Sequence, residues 1–443
     1  MNYLAKTKNL QMKKLIIPIT CFVAMAVLLS SCKKNIGNLN SPVLESYTNP
    51  SQAQLNNLVA GTESGMRNNL AMYSDVVGMI GREIYRFSGA EPRYTSDLLG
   101  AEDAVLNNNT FYLNNPWGSR YRVIKNTNTL INGATNAPAL SDAERKGYLG
   151  FAKTIKAHQL LINLSMTYTN GIRLDVEDPE NLGPITGYDE SLTAIASLLD
   201  EAKADLMGAE IVFPLSSGYD GFNDAAGLLK FNRALAARVA VYREQWADAL
   251  TALSESFFDL NGNFYTGIYH VFGNGLGDQL NLAFFPQNQN GEVRAAHPSY
   301  AADIAPNDDR INKTALRTAT VSSSDLSSNR DVWVYTSSLA PVPIIRNEEL
   351  ILIYAEAKIQ TNLLPDAVTA LNKIRTGHNL GPYAGAVNQP ALITEMLNQR
   401  RYSLYFEGHR WVDMRRYNRL NELPLDRPGD DVWEEFPLPL TEN

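Results

Sequence analysis

Two stretches of this chain repeat one another, and the repeat limits the folds open to it. Leu235–Leu253, LAARVAVYREQWADALTAL, aligns without gaps on Ile353–Leu371, IYAEAKIQTNLLPDAVTAL. Each reads as a helix rich in small residues, a short turn, then a second helix ending Asp-Ala-(Leu/Val)-Thr-Ala-Leu. Small side chains let helix backbones approach closely. A helix pair cannot bury its apolar face alone, so such pairs stack on neighbours. The repeat therefore predicts a mostly helical protein built from stacked pairs.

Other helices follow from periodicity and caps. Leu55–Met79 is helically patterned. Pro116–Ala134 reads as a helix with Trp117, Tyr121, Ile124 and Ile131 on or near one face, and Trp117 is assigned to the core. Ser141–Thr169 opens with Ser141 and Glu144 in a capping box and closes at Asn170-Gly171. His158, in its middle, is read as an ordinary packed histidine. Glu190–Met207, Ala225–Tyr242 and Gln245–Phe257 follow, with Trp246 assigned to the repeat packing.

Two segments break this pattern. Arg82–Asp97, REIYRFSGAEPRYTSD, has turn signals at Gly89 and Pro92 and is read as a loop exposing Tyr85, Arg86, Arg93 and Tyr94. Between the repeats lies an excursion, Asn261–Pro343, rich in Gly, Asn, Ser and Pro with short apolar runs at Leu282–Phe285 and Val332–Tyr335. It is too long for a plain connector, and such insertions usually carry function. Aromatic faces with arginines suit a sugar or another polar ring, through stacking and bidentate hydrogen bonds. Tyr94, Arg93 and Tyr300 are the first candidates, and Tyr85, Tyr269 and Trp333 the second. Asp308 and Asp309 are weighed as a calcium loop. No five-ligand oxygen pattern surrounds them, so a turn is the better reading.

The stretch Gln399–Asn418, QRRYSLYFEGHRWVDMRRYN, is dense in charge and aromatics. Ile393, Met396, Leu397 and Leu404 fall at helical spacing, and Trp411 prolongs that face. Glu407 with Arg410 and His409 with Asp413 are spaced for pairing on one helix. Glu407, His409 and Asp413 resemble a metal or acid/base set. A zinc helix needs two histidines one turn apart, and the arginines here would repel a cation. The three are therefore read as structural, with no metal, cofactor or catalytic residue assigned.

The N-terminus reads as a targeting segment. Lys13-Lys14 precedes an apolar run, Leu15–Leu29, too short to span a bilayer comfortably. Met12 is taken as the start, with residues 1–11 an upstream extension. Leu29-Ser30-Ser31-Cys32 resembles a bacterial lipobox, which implies cleavage before Cys32 and lipid on its thiol. Residues 1–31 are then a signal peptide, 32–50 a tether and 51–443 a single domain. Without its leader the chain carries 35 basic against 47 acidic residues, near −12, which argues against nucleic acid as a partner.

Three motifs carry a family resemblance. Arg400-Arg401, Leu404, Phe406-Glu407-Gly408-His409-Arg410-Trp411, Asp413 and Arg415-Arg416 resemble the C-terminal signature of the SusD/RagB family. Val342–Leu350 followed by Tyr354-Ala355-Glu356-Ala357 resembles a second motif of that family, with Asn347 and Glu348 replacing the commoner aromatic and alanine. Phe436-Pro437-Leu438-Pro439 resembles its closing proline motif. The usual glycine-X-proline-leucine turn appears only as Gly171-Ile172-Arg173-Leu174. The resemblance covers roughly residues 32–443 and is densest after Val342. It implies tetratricopeptide-like helix pairs with a loop-rich, partly β insertion. It further implies a surface-exposed, lipid-anchored outer-membrane lipoprotein that binds a glycan or other oligomeric nutrient and delivers it to a TonB-dependent, SusC-like transporter. Lys33 and Lys34 leave open which way the anchor faces. A helical scaffold binding only a protein partner and a glycoside hydrolase are the alternatives. No pair of acids announces the latter.

Overall fold

The structure, a computed structural model, describes residues 49–276 and 278–442. Cys32, the leader and nearly all of the tether lie outside them. Ser51 caps the first helix, α1 (Gln52–Met66), in a capping box with Gln54. Asn69, at φ 53°, breaks the Leu55–Met79 stretch, so α2 (Leu70–Ile80) is a separate helix. Next come α3 (Phe111–Asn136) and α4 (Asp142–Thr167), the latter opened by the Ser141/Glu144 box. Gly171 closes that segment at φ 73°, where a Cβ would run into the Thr186 carbonyl. A two-residue ribbon, β2 (Ile172–Arg173) with β3 (Ile185–Thr186), leads into α5 (Tyr188–Leu206). The helices α6 (Ala225–Tyr242) and α7 (Trp246–Glu255) form the first repeat unit. The second is α9 (Asn347–Gln360) with α10 (Leu364–Gly377), followed by α11 (Gln389–Ser403) and α12 (Arg410–Arg416).

The helices stack in chain order from α3 to α7. The helix α9 then packs on α6, α7, α10 and α11, so the two repeat units are neighbours. Ala355, Ala357, Ala367 and Ala370 are fully buried at these contacts. A helix apolar all round belongs inside, and α9 is buried at most of its positions, carrying Glu348, Glu349 and Glu356 in with it. Each acid has a cation: Arg346 on Glu348 at 2.9 Å, Arg238 on Glu349 at 2.6 Å, Arg416 on Glu356 at 2.8 Å.

The excursion builds most of a sheet. Its strands β5 (Val293–Ala296), β6 (Thr314–Ser323) and β7 (Leu326–Val332) join β1 (Ile84–Phe87) in the antiparallel order β1-β5-β7-β6. A short helix, α8 (Pro298–Asp303), follows β5. The ends of the excursion close on each other as β4 (Gly267–His270) and β8 (Val342–Arg346). One apolar core joins α2, the sheet and the C-terminal segment, with Phe436 fully buried between Tyr112 and Trp411.

Three expectations are corrected here. The segment Arg82–Asp97 is not an exposed loop. It contributes β1, buried at all four positions, and the short 3-10 turn Pro92–Tyr94. The Gln399–Asn418 stretch is not one continuous face. Phe406 and Gly408 take positive φ, and Trp411 lies on a new helix. Its acids pair mainly across the fold, with Asp413 also meeting Arg416 along the helix at 2.9 Å. Glu407 meets Arg346 at 3.0 Å, Asp413 meets Arg400 at 2.6 Å, and His409 faces Glu349 at 3.9 Å. Asp308 caps a 3-10 turn and binds Arg310 at 2.7 Å, in the manner of a structural turn.

Candidate ligand-binding site

A cavity of about 590 Å³ opens where the N-terminal segment meets the excursion. Its base is a pair of arginines. Arg86 on β1 and Arg294 on β5 are direct cross-strand partners. Like charges in that position repel, and both are buried. Asp75, on α2, resolves the conflict. Its carboxylate takes both hydrogen bonds of the Arg294 fork, at 2.5 and 2.8 Å, and lies 3.6 Å from Arg86 Nε. Arg86 also binds Glu292 at 2.5 Å. Arg294 donates further to the Ala283 carbonyl at 2.7 Å.

Aromatic rings stack on this base. The Phe285 ring lies 4.8 Å from the Arg86 guanidinium and 4.2 Å from that of Arg294. Tyr94 lies 5.3 Å from Arg86, and burial pushes its hydroxyl up to about 12. Arg67 and the exposed Arg122 complete the rim. Three of the four lining arginines are already paired with acids, Arg86 and Arg294 with Asp75 and Arg67 with Asp278, so the surface offers the donors those pairs leave over. Arginine forks bind carboxylates and hydroxyl oxygens with fixed geometry, and aromatic faces take apolar ring faces.

The candidates read from sequence scatter. Tyr94 lines this cavity, as does Arg86. Tyr85 is 2% exposed, its ring 5.0 Å from His297 inside the sheet. Tyr300 is also 2% exposed, on α8. Its hydroxyl donates to the Arg310 carbonyl at 2.7 Å, and its ring lies 4.2 Å from Tyr405. Both are core residues and present no face to a ligand. Arg93 is exposed and is not among the residues that line the cavity, its guanidinium bound to Glu91 at 2.6 and 2.5 Å. Tyr269 lines a second, smaller cavity. Trp333 is half-buried against Phe284 and lines neither. The sequence reading passed over Asp75, Phe285 and Arg294. A lone aspartate within the apolar run LAMYSDVVGMI was the available signal for a buried ion pair. Among the described residues, no three His, Cys, Asp or Glu side chains are placed to hold a metal ion, and no helix is long and apolar enough to cross a membrane.

The turn between α2 and β1 holds Glu83, buried beneath the sheet. It accepts the Phe406 N–H at 3.2 Å. Burial lifts its carboxyl to about 8 from the ordinary 4.5. The folded state thus keeps a proton that the unfolded chain releases at neutral pH. A raised carboxyl contributes full stability below pH 4.5 and loses it as pH rises through 8. Glu83→Gln keeps the acceptor and cannot ionise. Its melting temperature is expected to exceed that of wild type at pH 8, the gain vanishing toward pH 5. Melts of both proteins at pH 5, 7 and 8.5 check this. A constant offset at all three would remove the assignment.

Residues 284–432 match the SusD family. Solved structures with a similar fold include a SusD superfamily protein from Bacteroides vulgatus, 16% identical with a TM-score of 0.67, the match covering 88% of this chain and 96% of that one. A SusD-like carbohydrate binding protein from the same species is 16% identical, with a TM-score of 0.63 and coverage of 82% and 83%. Surface glycan-binding protein A from Bacteroides uniformis is 15% identical, with a TM-score of 0.62 and coverage of 83% and 88%. No curated protein matches the sequence. The family match spans the end of the excursion and the C-terminal helices, and the fold shared with SusD superfamily structures extends over most of the rest of the chain.

Proposed function

We propose that this protein binds an oligosaccharide in the arginine- and aromatic-lined cavity and hands it to a TonB-dependent transporter barrel, held at the outer membrane by lipid on Cys32. The observation that carries the binding reading is the cavity itself. Its Phe285 ring is clamped by two guanidinium groups that Asp75 holds in place. A ring fixed in this way loses little freedom on binding. Two of the similar structures, the SusD-like carbohydrate binding protein and the surface glycan-binding protein, are named for carbohydrate or glycan binding. The transporter and the anchor are drawn from the family and from the lipobox.

Binding without hydrolysis is supported by how the nearby acids are used. A glycosidase needs a free acid and a second carboxylate about 5–10 Å apart. Asp75 is locked on Arg294. Of the two acids that line the smaller cavity, Asp278 is paired with Arg67 and Glu63 accepts from Ser216, so no two unpaired carboxylates face one another there. Titration calorimetry against a panel of defined oligosaccharides tests the reading. Wild type is expected to bind at least one member and to release no reducing ends from it. Phe285→Ala is expected to weaken that binding roughly two- to tenfold. Heat from no member, or hydrolysis of one, overturns the proposal.

A further inference from the structure

One wall of the first cavity is the start of a helix. Asn69, at φ 53°, turns the chain from α1 into α2, and Leu70, Ala71 and Met72 of the first turn of α2 line the cavity. An α-helix leaves its first N–H groups without intrahelical partners and carries partial positive charge there. At α2 the usual remedies are missing. Asn69 makes no capping bond, and its side chain instead donates to Ser119 on α3 at 2.8 Å. No acid stands in the first turn. The Leu70 N–H reaches the Arg67 carbonyl at 3.3 Å, and among the described residues the Ala71 and Met72 N–H groups have no acceptor.

The charges around this helix start point the same way. Arg120, on α3, lies against the turn and donates to the Met66 carbonyl at 2.8 Å, to Gln159 at 2.9 Å and to the Asn68 carbonyl. It is 1% exposed, and among the described residues it pairs with no carboxylate. The carbonyls at the end of α1 offset part of its charge. Burial pushes its guanidinium down to about 10, so it is still a cation at neutral pH. A buried charge without a counter-ion costs stability, and an anion brought close offsets some of that cost. Two residues on, Arg122 lines the cavity itself, exposed and without an ion pair among the described residues. Arg67 lines it too. Its Nη1 is committed to Asp278 and the Val271 carbonyl, while Nε and Nη2 have no acceptor among the described residues.

We infer that the saccharide bound here is acidic, with a carboxylate or sulfate group seated at the start of α2 and held by Arg67 and Arg122. The inference rests on the oligosaccharide reading above and names the class of sugar that reading leaves open. Phe285 takes a ring face, and the helix start takes the charge. The oxygens of one anionic group can accept from free backbone N–H groups and an arginine fork together. A neutral sugar brings only hydroxyls, which leave the Arg120 charge uncompensated.

Calorimetry of matched pairs tests this. The probes are oligogalacturonates against their methyl esters, sialyllactose against lactose, and sulfated galactan oligosaccharides against their desulfated forms. Wild type is expected to bind the acidic member of at least one pair about tenfold or more tightly than its neutral form. That preference should shrink as salt rises from about 0.05 to about 0.5 M. Which pair shows it names the anion as carboxylate or sulfate. Arg122→Ala should cost the acidic member roughly tenfold and leave the neutral member unchanged. It should melt with wild type, having no ion pair to lose. Lys230→Ala, which removes an exposed charge on α6 outside the lining, should bind as wild type does. Acidic and neutral members bound alike would overturn the inference and leave the oligosaccharide reading standing. Arg122→Ala that holds the acidic member as wild type does, or that loses both members equally, would also overturn it alone. Wild type that binds no member of any pair would overturn the oligosaccharide reading and the acidic class with it.

Discussion

Asp75→Ala is expected to cost about 3–5 kcal/mol of folding stability, the usual penalty for removing one partner of a buried ion pair. The reason lies in the register of the sheet. Arg86 and Arg294 face each other across β1 and β5, and the Asp75 carboxylate lets both charges stay. Arg86 keeps Glu292 in the variant, but Arg294 is left with carbonyl acceptors only. Chemical denaturation of the variant and wild type measures the loss directly. The second readout is binding. The folded fraction should bind poorly as well, because Phe285 rests on both guanidinium groups. A variant of wild-type stability would show that the arginines are satisfied without the aspartate.

Tyr300→Ala is expected to cost a further 3–5 kcal/mol, roughly the penalty for truncating a buried aromatic. The ring packs against Tyr402 and Tyr405, and the hydroxyl serves the Arg310 carbonyl. Tyr300→Phe isolates the hydrogen bond and should cost only about 1 kcal/mol. Arg93→Ala, on the surface, should stay within about 0.5 kcal/mol. Melting curves of the three variants rank them. Unchanged stability in Tyr300→Ala together with lost ligand affinity would restore Tyr300 as a ligand platform.

The difference between these tyrosines and their reading in the sequence has a physical cause. Caps and helical periodicity are local, and the chain states them openly. Ser141 and Glu144 announce α4, and the aligned repeat announces the two helix pairs that pack together. Burial of Tyr85 and Tyr300 is set by partners far away. The strand carrying Tyr85 finds its neighbour at Val293–Ala296, and no pattern within REIYRFSGAEPRYTSD reveals that. The acid pairs behave alike. Spacing suggests His409 with Asp413, yet Asp413 binds Arg400 from the preceding helix. Gly408 did carry a legible signal. Its left-handed backbone ends the apolar face before Trp411, and a glycine between helical runs is a break more often than a bystander. The candidate site was legible at the level of regions, since Arg86, Tyr94 and Phe285 all lie in the two segments that break the helical pattern. Which side chains meet there depends on the sheet.

That sheet also sets the order in which the protein can assemble. Ile84 pairs with Ala296, and Phe436, almost the last residue, fills the core against Tyr112 and Trp411. Contacts so distant along the chain must close large loops before they are rewarded, which slows folding. As the polypeptide is synthesised, β1 emerges early, and its apolar strand edge has no partner until the excursion has followed. The helical units can form as they appear, being local. The ligand cavity cannot, because one wall is made early and the other some two hundred residues later. The first part of the candidate site to be made is among the last to be completed, and the nascent chain stays open, and open to capture by a chaperone, for most of its synthesis.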